Sequence, residues 1–296
     1  MEFLSGVTIV CFAASYAVAF VLEVLRCVRR LPLRTVLIVG WTAAGLLAHT
    51  IFLYELARSE SAAQNGRLVF SSWYDWSLLV AWGVAAAYLG LLIRRPQNAT
   101  GLFLLPLVLL LIAGAFFFAE RAPFERAAAE RVWRTIHAAA LLFGTVSVTL
   151  GFAAGAMYLY QSYRLKQKRP LPQWFRLPTL EWLQRFNREA LLISTVALGI
   201  GLLAGIVLNI RLQSGGTSLV RWSDPAVLSS LVLLGWLVAA TLFESIYRPA
   251  REGRKVAYLT IASFIFLVLA LGFVLATKHA TPRESGAARS KEAAAP

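Results

Sequence analysis

Long apolar runs separated by short charged segments dominate this chain. A helix needs about 20 apolar residues to cross the hydrocarbon core of a bilayer, and about eight runs come near that length. The runs cover residues 4–25, 35–57, 73–93, 100–119, 134–161, 190–211, 226–247 and 255–277. The pattern predicts an all-α, polytopic transmembrane helical bundle of about eight spans. Residues 1–280 would form this membrane domain, and residues 281–296 a disordered polar tail.

The composition agrees with a membrane protein. The chain is 58% hydrophobic and 15% charged, whereas a soluble domain carries about 25% charged residues. Its formal net charge is +14, and the basic residues collect after the first, third, fifth and seventh runs. The positive-inside rule makes these loops cytoplasmic and puts both termini outside. We therefore expect a multi-pass protein of the bacterial cytoplasmic (inner) membrane, in contact with lipid and not with nucleic acid.

The longest predicted cytoplasmic loop contains an amphipathic segment, LPTLEWLQRFNREA, at residues 177–190. Thr179 can cap a helix there, and Leu180, Leu183 and Phe186 lie near one face of it. The segment predicts an interfacial helix on the cytoplasmic surface, ahead of the sixth span.

Glycine and cysteine spacing adds two smaller expectations. Gly151 with Gly155, and Gly201 with Gly205, each form a Gly-x-x-x-Gly pair that predicts close approach of two helices. The cysteines form neither CxxC nor CxxCH, so the chain is not expected to be a thiol oxidoreductase or to attach haem covalently.

The three histidines are the main candidates for function, because an ionisable residue is costly inside a bilayer. His137 lies near the predicted outer end of span five, and His279 lies just past the outer end of span eight. At this shared depth, the two imidazoles could fill both axial positions of a haem iron. An imidazole pair could also bind zinc or copper. His49 lies deeper, about 22 Å outward from Arg34, where it could bind a second haem or make a structural hydrogen bond.

Aromatic and basic residues gather on the same predicted outer side. Trp133 stands four residues before the histidine of span five, and Trp222 stands in RWSDP before span seven. SSWYDW, residues 71–76, opens span three. Such residues are typical of the interfacial belt, but beside two histidines they could stack on a porphyrin. Arg134 and Arg221 could bind its propionates or lipid headgroups.

These motifs resemble the haem-handling cytochrome c assembly proteins of the CcsA and HemX type. The quoted segments are AHTIFLY, SSWYDWSLLVAWGVAAAYLGLL, GLFLLPLVLLL, IHAAALLFGTVSVTLGFAAGAMYLYQSYRLK, LPTLEWLQRFNREALLIS, RWSDP and GRKVAYLTIASFIFLVLALGFVLATKH. The resemblance implies that His137 and His279 bind haem axially and that Trp222 and Asp224 belong to the segment that cradles it. Glu244 stands where the family has a further intramembrane histidine.

The resemblance implies a haem-binding protein of cytochrome c biogenesis, holding haem b at the periplasmic membrane edge. Its expected partners are haem, a second membrane protein of the assembly system and apocytochrome c. The tryptophan-rich motif is shortened here to RWSDP, which favours the HemX-like branch. The alternative is therefore a non-catalytic scaffold or regulator of haem synthesis or cytochrome assembly. A transporter is less favoured, because no internal repeat is visible. The pattern indicates haem handling, or part of a haem-lyase system, more than an independent enzyme.

Overall fold

A computed structural model of the chain describes residues 8–25, 34–63, 70, 72–119, 131–168, 175–214, 224–246 and 253–280. Within these ranges the chain forms eight helices and no strand. They are α1 (Ile9–Leu25), α2 (Arg34–Ala63), α3 (Trp73–Arg94), α4 (Gly101–Phe118), α5 (Arg131–Lys166), α6 (Leu180–Ser214), α7 (Pro225–Ile246) and α8 (Gly253–Ala280). Seven are long and apolar enough to cross a membrane, and α1 is a shorter apolar helix. The predicted polytopic helical bundle is confirmed; the predicted tail lies outside the described residues.

The helices follow the predicted runs closely except at the sixth. α6 is one continuous helix of 35 residues, so the prediction of a separate interfacial helix is wrong. The segment instead forms the first turns of the spanning helix. The predicted cap is present, because the Thr179 hydroxyl accepts a hydrogen bond from the Trp182 amide at 3.3 Å. No glycine or proline lies between Leu180 and Ala190, so nothing interrupts the hydrogen-bond ladder at the membrane surface.

Helices α1 to α4 pack around large aromatic and aliphatic side chains. Where α1 ends, Glu23 is completely buried and accepts a hydrogen bond from the Tyr88 hydroxyl at 2.9 Å. A Cβ atom added at Gly101, the first residue of α4, would lie 2.9 Å from the same carboxylate oxygen. Negative charge is favourable at a helix N-terminus. Glu23 therefore ties α1 to the start of α4.

Helices α5 to α8 pack through small and hydroxyl-bearing residues, with α5 also in contact with α3 and α4. A Cβ atom added at Gly155 would lie 2.7 Å from the Thr260 hydroxyl of α8, and one added at Gly151 would lie 3.6 Å from the Thr260 side chain. The Trp236 indole of α7 donates a hydrogen bond to the Ser263 hydroxyl of α8 at 3.1 Å. The first predicted glycine pair thus makes a close contact with α8.

The basic loops meet at one end of the bundle, which we call the inner end. The amide of Ala99, between α3 and α4, donates to the carbonyl of Arg176, ahead of α6, at 2.7 Å. The Arg254 guanidinium at the start of α8 donates to the Ser162 hydroxyl near the end of α5 at 2.8 Å. These contacts hold three predicted cytoplasmic connections on one side. The opposite end is called the outer end below.

Candidate functional site

The outer halves of α5 and α6 run side by side, with glycines between them. A Cβ atom added at Gly201 of α6 would lie 2.9 Å from the side chain of Leu141 on α5. A Cβ atom added at Gly205 would lie 3.0 Å from Cε1 and Nδ1 of the His137 ring. His137 stands four residues outward from Leu141 on α5, and Gly205 stands four residues outward from Gly201 on α6. The two helices therefore keep the same register over this stretch. The second predicted glycine pair makes the flat surface on which the histidine lies.

His137 makes a directed hydrogen bond to the backbone of α6. Its Nδ1 lies 2.6 Å from the carbonyl oxygen of Gly201. Because a carbonyl can only accept, Nδ1 must carry the hydrogen, and the neutral ring keeps its lone pair on Nε2. Metal-binding histidines commonly hold the second nitrogen in this way, which fixes both tautomer and ring orientation. The ring is only partly buried, so Nε2 is the nitrogen through which His137 could bind a metal.

Two polar side chains near His137 have buried atoms without a partner in the described ranges. Arg134, nearly one turn outward on α5, has a buried Nε with no hydrogen-bond acceptor. Asn209, one turn beyond Gly205 on α6, is 8% exposed, and its Oδ1 has no donor. Trp133 is partly buried and adjacent to Arg134. Asn209 belongs to no sequence motif, and the only signal for it in the sequence is the cost of a polar side chain inside a span.

His279 lies in the described last turn of α8, at the same end of the bundle as His137. The contact between Gly155 and Thr260 gives a common starting level for α5 and α8. His137 stands eighteen residues outward from that level along α5, about 27 Å of helix. His279 stands nineteen residues outward along α8, about 29 Å. The backbone therefore carries both residues to similar height on two helices that pack against each other.

The structure describes only part of the RWSDP segment. Trp222 and Arg221 lie outside the described residues. Asp224 immediately precedes α7, and its carbonyl accepts a hydrogen bond from the Leu228 amide at 3.0 Å. Asp224 thus stands at the outer end of the bundle, where α7 begins.

His49 has a different environment, in the core between α1 and α2. Its side chain is 0% exposed, and its ring stacks face to face on Phe12 with centroids 4.1 Å apart. The Tyr16 hydroxyl lies 3.5 Å from Nδ1, while Nε2 is buried without a partner among the described residues. This enclosure favours the expected structural role, and haem binding by His49 stays a prediction.

The two other polar segments singled out in the sequence have local roles. Asp75 of SSWYDW forms a capping box with Ser72 at the start of α3. The segment lies away from His137, because α3 meets α5 at Val146, nine residues from His137 and thus on the opposite helical face. Glu244 is 4% exposed and forms an ion pair with Arg188 of α6 at 3.3 Å. Neither segment joins the outer site.

Comparison with known proteins identifies the family. Residues 70–279 match the family described as cytochrome C assembly protein. The chain is also similar to an uncharacterized 28.8 kDa protein, in the nifR3-like 5′ region, of Azospirillum brasilense. That protein is 28% identical over 210 residues, an alignment covering 68% of this chain and 74% of the relative. No solved structure matches the chain. Because the family match runs from just before α3 to His279 and includes His137, the chain belongs to the cytochrome c assembly protein family.

Proposed function

We propose that this membrane protein serves cytochrome c biogenesis by binding haem at its outer end, between His137 and His279. The family supports the role in cytochrome c biogenesis. The observation that carries the site is the hydrogen bond from His137 Nδ1 to the Gly201 carbonyl. It leaves Nε2 as the ligand atom and holds the ring against α6.

The outer half of α5 carries exposed apolar side chains. Val132 is 65% exposed and Phe143 is 68% exposed there, but at 3.6 residues per turn both stand on another face of α5 than His137. These side chains are therefore open to lipid acyl chains and lie away from the His137 side of the helix. When bound, haem supplies an iron centre whose axial positions accept two neutral imidazoles.

The second ligand in this proposal is His279. Its backbone lies in the last turn of α8 at a similar height, and α8 packs directly against α5 through Gly155 and Thr260. The chain has no CxxCH motif, so the proposed ligand is haem b, held without a covalent bond. The proposed location is the periplasmic membrane edge. A second membrane protein of the assembly system and apocytochrome c would be the receiving partners.

The runner-up is a membrane scaffold or regulator of the HemX-like kind that binds no haem. The observation in its favour is the shortened tryptophan motif, since RWSDP keeps one tryptophan and the preceding LQSGGTSLV has none. In that case the hydrogen bond of His137 to Gly201 would serve only to join α5 to α6.

The visible spectrum of the full-length protein, purified in detergent, separates the two functions. We expect a Soret band in the wild type. His137→Ala and His279→Ala should each lose most of the haem or become five-coordinate, because alanine offers no ligand. Added imidazole should partly restore the spectrum in both variants, and His49→Ala is the control expected to keep it. A wild type without haem would favour the scaffold, and wild-type spectra in both outer variants would contradict the ligand assignment.

A further inference from the structure

We propose that Arg134 and Asn209 form a carboxyl-binding pair beside His137, which recognises a propionate group of the haem. The inference rests on the proposed function and extends it to the polar edge of the ligand. Asn209 is the new element, because its position in the sixth span shows no motif. Only the register between α5 and α6 brings it to this site.

The register places both residues outward of the histidine. His137 lies against Gly205; Arg134 is three residues further outward on α5, and Asn209 is four residues further outward on α6. Residues three or four apart lie on the same side of a helix, about one turn from each other. The two side chains therefore extend the histidine's surface toward the outer end, where the polar edge of an amphipathic macrocycle would lie.

The two side chains present complementary atoms that the described protein leaves unsatisfied. Arg134 offers a buried N–H donor at Nε, and Asn209 offers a buried acceptor at Oδ1. Buried polar atoms are nearly always hydrogen-bonded, and leaving them open is more costly where water is excluded. Asn209 is more than nine-tenths buried, so its amide stands at this point before any ligand arrives.

A carboxyl group can satisfy both atoms at once. One oxygen accepts from Arg134 Nε–H, in the planar geometry that suits guanidinium and carboxylate. The other oxygen meets the Asn209 amide, which offers Oδ1 to a protonated carboxyl. After a half-turn of the amide it offers Nδ2–H to a carboxylate. A purely apolar lipid tail would leave both atoms open, so a ligand with a polar group at this point is favoured.

The test compares two ligands that differ only at their carboxyl groups. Iron protoporphyrin IX and its dimethyl ester are titrated into the full-length protein in detergent, and binding is followed by the Soret band. The ester keeps the iron, the ring and the methyl and vinyl groups, but it has lost the acid. We expect the wild type to prefer the free acid by about tenfold or more, as for a charge-assisted hydrogen bond inside a site.

Variants of the two residues then test whether they cause the preference for the free acid over the ester. Asn209→Leu and Arg134→Met should each reduce the ratio of the two dissociation constants severalfold, with haem still ligated by histidine. Asn209→Asp should reduce the ratio further, because two carboxylates repel. Asn187→Leu is the matched control: Asn187 is another fully buried asparagine of α6 with an unpartnered Nδ2, but it lies at the inner end.

The outcomes separate this inference from the function beneath it. If the wild type binds neither ligand, the proposed haem function fails and this inference fails with it. If the wild type binds both ligands equally well, or if Asn209→Leu keeps the full preference, haem binding stands and the carboxyl-binding pair is overturned. A loss of preference in the Asn187→Leu control would also overturn it, since the effect would then be general to the fold.

Discussion

The environments of His137 and His49 show how one residue type is used in two ways in one bundle. His137 lies on a glycine surface between α5 and α6, partly exposed, with Nδ1 bonded to a carbonyl at 2.6 Å. His49 lies between α1 and α2, fully buried and stacked on Phe12 at 4.1 Å. The first ring is only partly buried. The second ring is enclosed, and its Nε2 has no partner among the described residues.

The difference teaches that depth in the bilayer alone does not identify a binding histidine. What matters is whether one nitrogen is oriented by a hydrogen bond while the other can be reached. His137 fits both conditions, because the Gly201 carbonyl holds Nδ1 and the ring beside Gly205 is only partly buried. His49 also has a hydrogen bond at Nδ1, a long one of 3.5 Å to the Tyr16 hydroxyl, but it fails the second condition because its side chain is fully buried.

The largest expected effect is a difference in stability between the alanine variants of the two histidines. His49→Ala removes a packed ring and leaves a cavity against Phe12, so we expect a loss of about 3 kcal/mol in the free energy of unfolding. His137→Ala should cost about 1 kcal/mol, the net value of one hydrogen bond. Unfolding in mixed detergent measures both. Equal losses, or a larger loss at His137, would remove the distinction drawn between the two environments.

A second test changes the glycine surface without replacing His137. Gly205→Ala puts a methyl group 3.0 Å from the His137 ring, so the ring must move away from the Gly201 carbonyl. Overpacking of this kind costs about 1–3 kcal/mol, and we expect about tenfold weaker haem binding. The control is Gly235→Ala, where an added Cβ atom has no atom within 4 Å. Unchanged haem affinity in Gly205→Ala would show that the glycine surface does not orient the ligand.

A third test replaces the enclosed histidine by an apolar residue of similar size. His49→Leu keeps the volume and removes the unpartnered Nε2, but it also removes the Nδ1 partner of the buried Tyr16 hydroxyl. Because the two effects oppose each other, stability should change by about 1 kcal/mol or less. The haem spectrum should be unchanged as well. Loss of haem in this variant, with the fold intact by size-exclusion chromatography, would instead identify His49 as a ligand.

The smallest expected effect lies at the inner end, at the ion pair of Arg188 and Glu244. The Arg188 side chain is 56% exposed, so solvent weakens the attraction, and we expect a coupling of about 1 kcal/mol or less. A double-mutant cycle with Arg188→Gln and Glu244→Gln measures it. Haem content should stay at the wild-type level in all three variants. A fall in haem would link the inner end to the outer site.

The helices were predictable because they depend on local properties of the chain. Length, apolar content and the position of basic loops fix which segments cross a bilayer. Every predicted run therefore became a helix, and the loops with Ala99 and Arg176 meet at one end. The interfacial helix failed for a similar local reason: nothing between Leu180 and Ala190 ends a helix. His137 and His279 also stood out, because histidine is rare in apolar runs and both resembled family positions; haem binding by the two residues stays a prediction.

The neighbours of each side chain were decided only by tertiary structure. In a membrane helix, faces that contact lipid and faces that contact protein are both apolar, so hydrophobic periodicity does not tell one from the other. The contact of His137 with Gly201, the burial of Glu23 beside Gly101 and the position of Asn209 all depend on how helices cross and on their register. The sequence alone determined which residues could bind a ligand. The packing of small residues against large ones decided which side chains lie beside each of them.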